Sequence, residues 1–282
     1  MRILKLAAAQ IETPLGDLDA NLRKHLDVIA EARAAGAQVL VFPELSLVGH
    51  SGGREATRLA LRMDHPALRE LSRASGPMLT IVGGVEEAAG ALFFNSAFGL
   101  TGERVAFVYR KINLATYGRL EDGKFYGTGT SISLHPIGME WHASVMICAD
   151  LWNPGLVHWA ALSGTNLLLA PISSAREAVG DEFDNREGWA INARFHAMTY
   201  GFPLVLANRV GREGELTFWG GSRILGPAGN TLAQAEDREA LIVTDIDYEA
   251  VRQARFLLPT VRDGAATLLA RAFTRLAEGT PS

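Results

Sequence analysis

The sequence holds one cysteine, Cys148, and one thiol cannot close an intramolecular disulfide, so the reducing cytoplasm is the expected compartment. Organised charge is scarce as well. The 27 Lys and Arg against 31 Asp and Glu leave a net charge of −4 with no run of one sign, which offers neither a nucleic acid nor a membrane surface a place to bind. No stretch approaches the roughly 20 apolar residues of a membrane-spanning helix. The apolar start, residues 3–11, reads as a first buried strand rather than as the core of a signal peptide. The seven histidines form no His-Glu-x-x-His motif and no Cys/His cluster, no Gly-x-x-x-x-Gly-Lys-Ser/Thr loop occurs, and no Gly-x-Gly-x-x-Gly follows a strand. A metal, nucleotide or nicotinamide enzyme is therefore not expected, and no cofactor is assigned.

The chain has an ordinary folding composition, 48% hydrophobic and 21% charged, which sets aside disordered and repeat classes. The length suits one layered α/β domain with a large core. Strand 3–11 leads to Asp17, a good helix N-cap, and to Leu18, Leu22, Leu26 and Ile29 on one helical face. A short apolar strand, residues 38–42, ends in Pro43-Glu44. Helical patterns come next over 55–62 and 66–74, then three strands, 78–85, 91–100 and 103–110, in an antiparallel meander. A hairpin over 131–136 and 140–147 leads into Cys148. The second half reads helix 156–162, strand 166–171, helix 187–200, strand 203–208, strands near 222–225 and 240–246, and a tail with helical runs to 255 and over 265–276.

Three residues share one property. Glu44, Lys111 and Cys148 each come directly after a buried-looking strand, so in a layered sheet all three reach the same crevice, at the strand ends where ligands bind. Alone, each has a plainer reading: a solvated carboxylate, a surface lysine, a small buried hydrophobe. Together they suit acyl transfer by a thiolate, with a carboxylate moving the proton and an ammonium stabilising the developing oxyanion. Cys148 falls at a strand-to-helix turn, and the helix N-terminus is expected to lower its pKa. Gly220 to Ile224 nearly matches a nucleophile elbow, but Ile224 occupies the place of its last glycine, which makes Ser222 a poor nucleophile.

At these residues the sequence resembles the nitrilase, or carbon–nitrogen hydrolase, superfamily. Phe42-Pro43-Glu44, Tyr109-Arg110-Lys111-Ile112-Asn113-Leu114 and Ile147-Cys148-Ala149-Asp150 look like its three ordered catalytic motifs, and Asn208-Arg209-Val210-Gly211, Gly220-Gly221-Ser222 and Gly226-Pro227-Ala228-Gly229 like downstream landmarks. The resemblance implies a four-layer α-β-β-α sandwich with mixed sheets over residues 1–263, and a tail, 264–282, that packs on the domain or on a partner subunit. It also implies a Glu-Lys-Cys triad, with Glu44 as general base, Cys148 as nucleophile, and Lys111 with the Ala149 amide as oxyanion donors. Subunits of the family associate through a helical face, so a homodimer or larger oligomer is expected. A second acid comes after the lysine motif in the family. Glu121 has the right residue type and Asp122 the right spacing, and the choice between them is open.

True nitrilases resemble one another in a Cys-Trp-Glu nucleophile motif, from which Ala149-Asp150 departs. An amidase acting on a small linear amide or N-carbamoyl compound is therefore favoured over a nitrile hydrolase. A catalytically silent dimeric binding module is the alternative of a different class, and intact Glu44, Lys111 and Cys148 argue against it. Tyr117 and Trp152 are the expected substrate contacts, with His50, Phe125 and Arg176 in loops that could reach the pocket.

Overall fold

Both faces of the first strand are apolar, and this sets the layering. In β1 (Ile3–Gln10) Leu4, Leu6 and Ala8 enter one core while Ala7 and Ala9 enter another, as the period-two alternation of a strand requires. The computed structural model describes residues 2–180 and 182–279. After β1 come α1 (Leu18–Ala34), β2 (Val39–Val41), α2 (Ala56–Leu59), α3 (Pro66–Ser75), β3 (Gly76–Ala88), β4 (Leu92–Gly102), β5 (Arg104–Arg110), α4 (Asp122–Phe125), β6 (His135–Ile137) and β7 (Trp141–Val145). A 3-10 turn, Cys148–Trp152, leads to α5 (Pro154–Leu162), β8 (Leu167–Pro171), α6 (Asn185–Tyr200) and β9 (Leu204–Ala207). The chain ends in β10 (Val210–Glu213), β11 (Leu216–Trp219), β12 (Arg223–Leu225), β13 (Thr231–Gln234), β14 (Ala240–Asp247), α7 (Tyr248–Leu257) and α8 (Ala266–Ala277).

Two six-stranded sheets result, β14-β1-β2-β3-β4-β5 and β6-β7-β8-β9-β12-β13. Read in those directions, both pair antiparallel, parallel, parallel, antiparallel, antiparallel. Leu4, Val41, Ile81 and Tyr109 of the first sheet share a core with Trp141, Val145, Leu169 and Val205 of the second, so the sheets lie face to face. The outer face of the first packs on α1 and α3 through Ile29, Leu68 and Leu71, and that of the second on α5 and α6 through Val157, Ala160, Trp189 and Ala193. This is the expected four-layer α-β-β-α sandwich.

The meander β3-β4-β5 is antiparallel as anticipated, and the Asp17 carboxylate accepts from Ala20 N at 2.9 Å as an N-cap. The helix expected over 55–62 shrinks to a 3-10 turn, Gly52–Glu55, and the single turn α2. The first strand of the hairpin before Cys148 begins at His135 rather than at residue 131. The pair β10-β11 and strand β13 were not anticipated, because Val210-Gly-Arg-Glu and Thr-Leu-Ala-Gln carry too little apolar alternation to read as strands. In the tail, α8 buries none of its residues and leaves Leu268, Phe273 and Leu276 exposed, while the Gly264 carbonyl before it accepts from His158 Nε2 at 3.2 Å.

Among the described residues no helix is long and apolar enough to cross a membrane.

Candidate active site

Glu44 stands three residues beyond β2, in a turn braced from the first sheet. Leu47 N donates to Gly83 O, and a Cβ on Gly83 would meet Leu45 N at 2.4 Å and Pro43 O at 2.6 Å, so only glycine lets β3 pass this close. Leu45 takes a φ of +54°, a conformation that β-carbon-bearing residues adopt rarely and mostly at over-determined sites. Across the sandwich, Glu44 N donates to Ile172 O at 3.3 Å. Its carboxylate is buried and fully engaged: Oε1 accepts from Asn95 Nδ2 at 2.8 Å and Lys111 Nζ at 2.7 Å, and Oε2 accepts from Ser173 N at 2.9 Å.

Lys111 leaves the end of β5 with its backbone N–H on Asn95 O, and its ammonium also meets Asp122 Oδ2 at 2.6 Å. Burial alone would push its pKa down. The Asp122 and Glu44 carboxylates outweigh burial and hold it well above the usual lysine range, so the group is an ammonium. Glu121 does not approach it. That carboxylate pairs at the surface with Arg54 and with Lys124, the latter at 2.6 Å. The geometry therefore brings Asp122 to Lys111 and leaves Glu121 in surface ion pairs, because the two neighbours leave the start of α4 in different directions.

Cys148 comes after β7 with a φ of +46°, and its thiol sits against the Glu44 carboxylate, the Lys111 ammonium and the Ser173 backbone amide. The expected lowering of its pKa is not found. Burial pushes the thiol well above the ordinary cysteine range and Glu44 adds to the rise, while Lys111 and the Ser173 amide pull the other way with less effect. The thiol opens a single 3-10 turn, so the axial field of a long helix is not available to offset desolvation. The resting group is a neutral thiol beside a carboxylate.

Asp150, quoted within the cysteine motif but given no role, proves to be the residue that locks the motifs together. It is fully buried, with Oδ1 accepting from Ile112 N at 3.1 Å and Asn113 N at 2.6 Å, and Oδ2 from Ile147 N at 3.0 Å and the Tyr109 hydroxyl at 2.8 Å. Asn113 Nδ2 adds a bond to Ala149 O at 2.7 Å. Sequence reasoning also passed over Asn95 and Ser173. A polar residue interrupting the apolar run Phe93-Phe94-Asn95 was the available signal for the first, and a position just past β8 for the second. Ser222 is buried, its hydroxyl donating to Asn208 O at 3.1 Å and accepting from Asn208 N at 2.9 Å, which makes it a structural brace.

Glu44, Lys111, Asp122, Cys148 and Ala149 meet at a cavity of about 220 Å³, which Tyr117, Trp152 and His50 also line. Phe125 borders a neighbouring small pocket instead, and Arg176 is exposed outside the cavity. A wider groove of about 740 Å³ beside Arg33, Phe107 and His135 contains none of the chemistry-bearing residues. Among the described residues no group of three or more His, Cys, Asp or Glu side chains is placed to hold a metal ion.

Residues 5–256 match the model of the carbon–nitrogen hydrolase family. The chain is 27% identical to the glutamine-dependent NAD(+) synthetase of Thermotoga maritima, covering 88% of this chain but only 43% of that one. It is 25% identical to the N-carbamoylputrescine amidase of Arabidopsis thaliana over 88% of each. Among solved structures it superposes with a TM-score of 0.78 and 25% identity on a Glu-to-Gln mutant of the amidase from Nesterenkonia sp. AN1, which shows Michael addition of acrylamide at the active site cysteine; the match covers 96% of this chain and 99% of that one. With its two-sheet sandwich and a match across nearly its whole length, the chain belongs to the carbon–nitrogen hydrolase family of the nitrilase superfamily.

Proposed function

We propose that the protein is an amidase that hydrolyses the C–N bond of a small linear amide or N-carbamoyl compound through a thioester on Cys148. The observation that carries this reading is the convergence of Glu44, Lys111, Asp122 and Cys148 on one end of a single cavity, with Lys111 bonded to both carboxylates. A thiol raised above the ordinary cysteine range and set beside the Glu44 carboxylate calls for proton transfer during attack. The Sγ–H proton passes to Glu44 as sulfur bonds to the carbonyl carbon, and the π electrons move to oxygen. An ammonium has three donors, and two are held by Glu44 and Asp122. The third, with the Ala149 N–H, serves the oxyanion. Collapse breaks the C–N bond, and the leaving nitrogen takes the proton from Glu44. Water then gives its proton to Glu44 and attacks the thioester, and the departing sulfur recovers that proton, which releases the acid and restores the thiol. Asp122 keeps the ammonium aimed and charged throughout.

The Nesterenkonia amidase with acrylamide added at its active site cysteine supports Cys148 as nucleophile. The departure from Cys-Trp-Glu favours an amide over a nitrile. We also place the protein in the cytoplasm, with residues 1–263 as the hydrolase domain, and assign it a dimeric or larger assembly. The apolar outer face of α6 supports that assembly: Ile191 is 61%, Phe195 48% and Met198 50% exposed.

The test is intact-protein mass spectrometry after mixing with a reactive ester or amide and quenching in acid. An acyl adduct on Cys148, absent from Cys148→Ala, is the expected result. Cys148→Ala and Glu44→Gln should each lose on the order of ten-thousand-fold in kcat. Turnover by Cys148→Ala at the wild-type rate would end the proposal.

A further inference from the structure

We propose that the cavity selects uncharged amides whose acyl group is apolar and about the size of an aryl ring. This specifies the substrate of the proposed amidase and rests on that reading for its turnover, though not for its binding. Among the described lining residues the formal charges are Glu44, Lys111 and Asp122, all gathered at the reactive end and paired with one another. Away from that end the wall is largely apolar, with Tyr117, Leu120, Trp152, Val179, Phe183 and Trp189 its large side chains.

Several polar atoms that also line the cavity are tied to protein partners. His50 Nδ1 bonds Ser173 Oγ at 3.0 Å, Ser174 Oγ accepts from Trp219 Nε1 at 3.3 Å, and Asn185 Nδ2 donates to Ala175 O at 2.6 Å. A carboxylate or ammonium on the acyl chain would lie against apolar side chains and meet no opposite charge beyond the reactive end. An apolar chain meets apolar side chains there.

The shape argues for a ring. The Trp152 indole packs edge-on against Phe183 at 5.9 Å and against Trp189 at 5.2 Å, which gives one side of the cavity an aromatic wall. Gly188 permits this packing, since a Cβ there would meet Phe183 Cζ at 2.6 Å and Trp152 at 3.3 Å. The facing loop is clamped by Arg119 N donating to Ala178 O at 3.0 Å, which holds Leu120 against Ala178. An apolar cavity of roughly 150 Å³ takes up benzene. About 220 Å³ therefore has room for a phenyl group with its carboxamide.

The experiment titrates Cys148→Ala calorimetrically with phenylacetamide, with succinamate as the anionic amide and with 4-aminobutyramide as the cationic one. Phenylacetamide should bind at least tenfold more tightly than either, and Trp152→Ala in that background should lose about tenfold for phenylacetamide. A charged amide that binds as tightly, absence of phenylacetamide binding, or an unaltered preference in the Trp152→Ala protein overturns the inference. A second measurement uses the unmodified enzyme: phenylacetamide should protect Cys148 from iodoacetamide, and equal protection by succinamate counts against the proposal. Wild-type turnover separates the two readings. Phenylacetamide bound but never hydrolysed ends the amidase assignment and leaves the selectivity standing, whereas preferred hydrolysis of a charged amide does the reverse.

Discussion

Tyr109 donates its phenolic hydrogen to Asp150 across 2.8 Å, and this buried bond joins the last strand of one sheet to the turn that carries Cys148 in the other. The same carboxylate holds the backbone just past Lys111, so the positions of Lys111 and Cys148 are set by one side chain. Asp150→Asn should lower kcat by on the order of a hundredfold, because an amide cannot accept on both of its arms. It should also cost about 1–3 kcal/mol of stability through stranded donors. Tyr109→Phe should cost less in rate. Steady-state kinetics with urea unfolding checks both, and a wild-type rate in Asp150→Asn would refute the bracing role.

Acid should act through the same residue. Burial raises the Asp150 pKa from 3.8 to about 6, while the amides of Asn113 and Ile147, the Lys111 charge and the Tyr109 hydroxyl oppose the rise. A protonated Asp150 no longer accepts all four hydrogens, so kcat/KM should fall as pH drops through about 6. The stability contribution of this group has the opposite sign. The folded state holds the proton more tightly than the unfolded chain, so the contribution is full below about 3.8 and is lost as pH rises through about 6. A pH–rate profile with parallel unfolding curves tests the pair, and an Asp150→Asn profile that keeps the same acid limb would reassign it.

Of the two loop acids, Asp122→Asn should reduce turnover by about a hundredfold or more, since it leaves Lys111 one anionic partner. Glu121→Gln, whose partners Arg54 and Lys124 are surface residues, should stay within about twofold. Rates of the two variants side by side decide it; a severe Glu121→Gln defect is the contrary result.

Glu44→Gln should separate thiol ionisation from turnover. The Glu44 carboxylate helps to hold the Cys148 pKa up and Lys111 pulls it down, so removing the negative charge should move the pH midpoint of iodoacetamide labelling downward. Hydrolysis should nonetheless collapse, since glutamine cannot take the proton. A midpoint that rises instead would place the thiol outside the influence of Glu44.

Assembly is tested by light scattering, with at least a dimer expected at micromolar concentration. Phe195→Glu on α6 should shift the mass toward the monomer, because it puts a charge on the exposed apolar face of that helix. A strictly monomeric wild type contradicts the assignment.

Much of this was readable along the chain because strand and helix patterns are local. The alternation in Ile3–Gln10, the Asp17 cap and the short apolar run before Glu44 each depend on neighbours a few residues away, and they were enough to put Glu44, Lys111 and Cys148 just past strand ends. Three ordered motifs did the rest for the family. The choice between Glu121 and Asp122 was not local in this sense. Successive residues entering a helical turn diverge by about 100°, and only the position of Lys111 says which one faces inward.

The ionisation of Cys148 was misjudged for a related reason. A strand-to-helix turn in the sequence shows the nearby dipole, but desolvation is set by everything that encloses the thiol, including Glu44 and Ser173, which lie 129 residues apart and share a hydrogen bond. Asp150 was visible as a letter in a motif, and its four donors come from two stretches, residues 109–113 and Ile147, brought together by the stacking of two sheets. The sequence by itself determined which elements form and which residues stand at their ends, since those arise from short-range periodicity and capping. The protonation of the thiol, the partner of the lysine and the apolar wall of the cavity were decided by tertiary structure, because burial and charge proximity are properties of the packed chain.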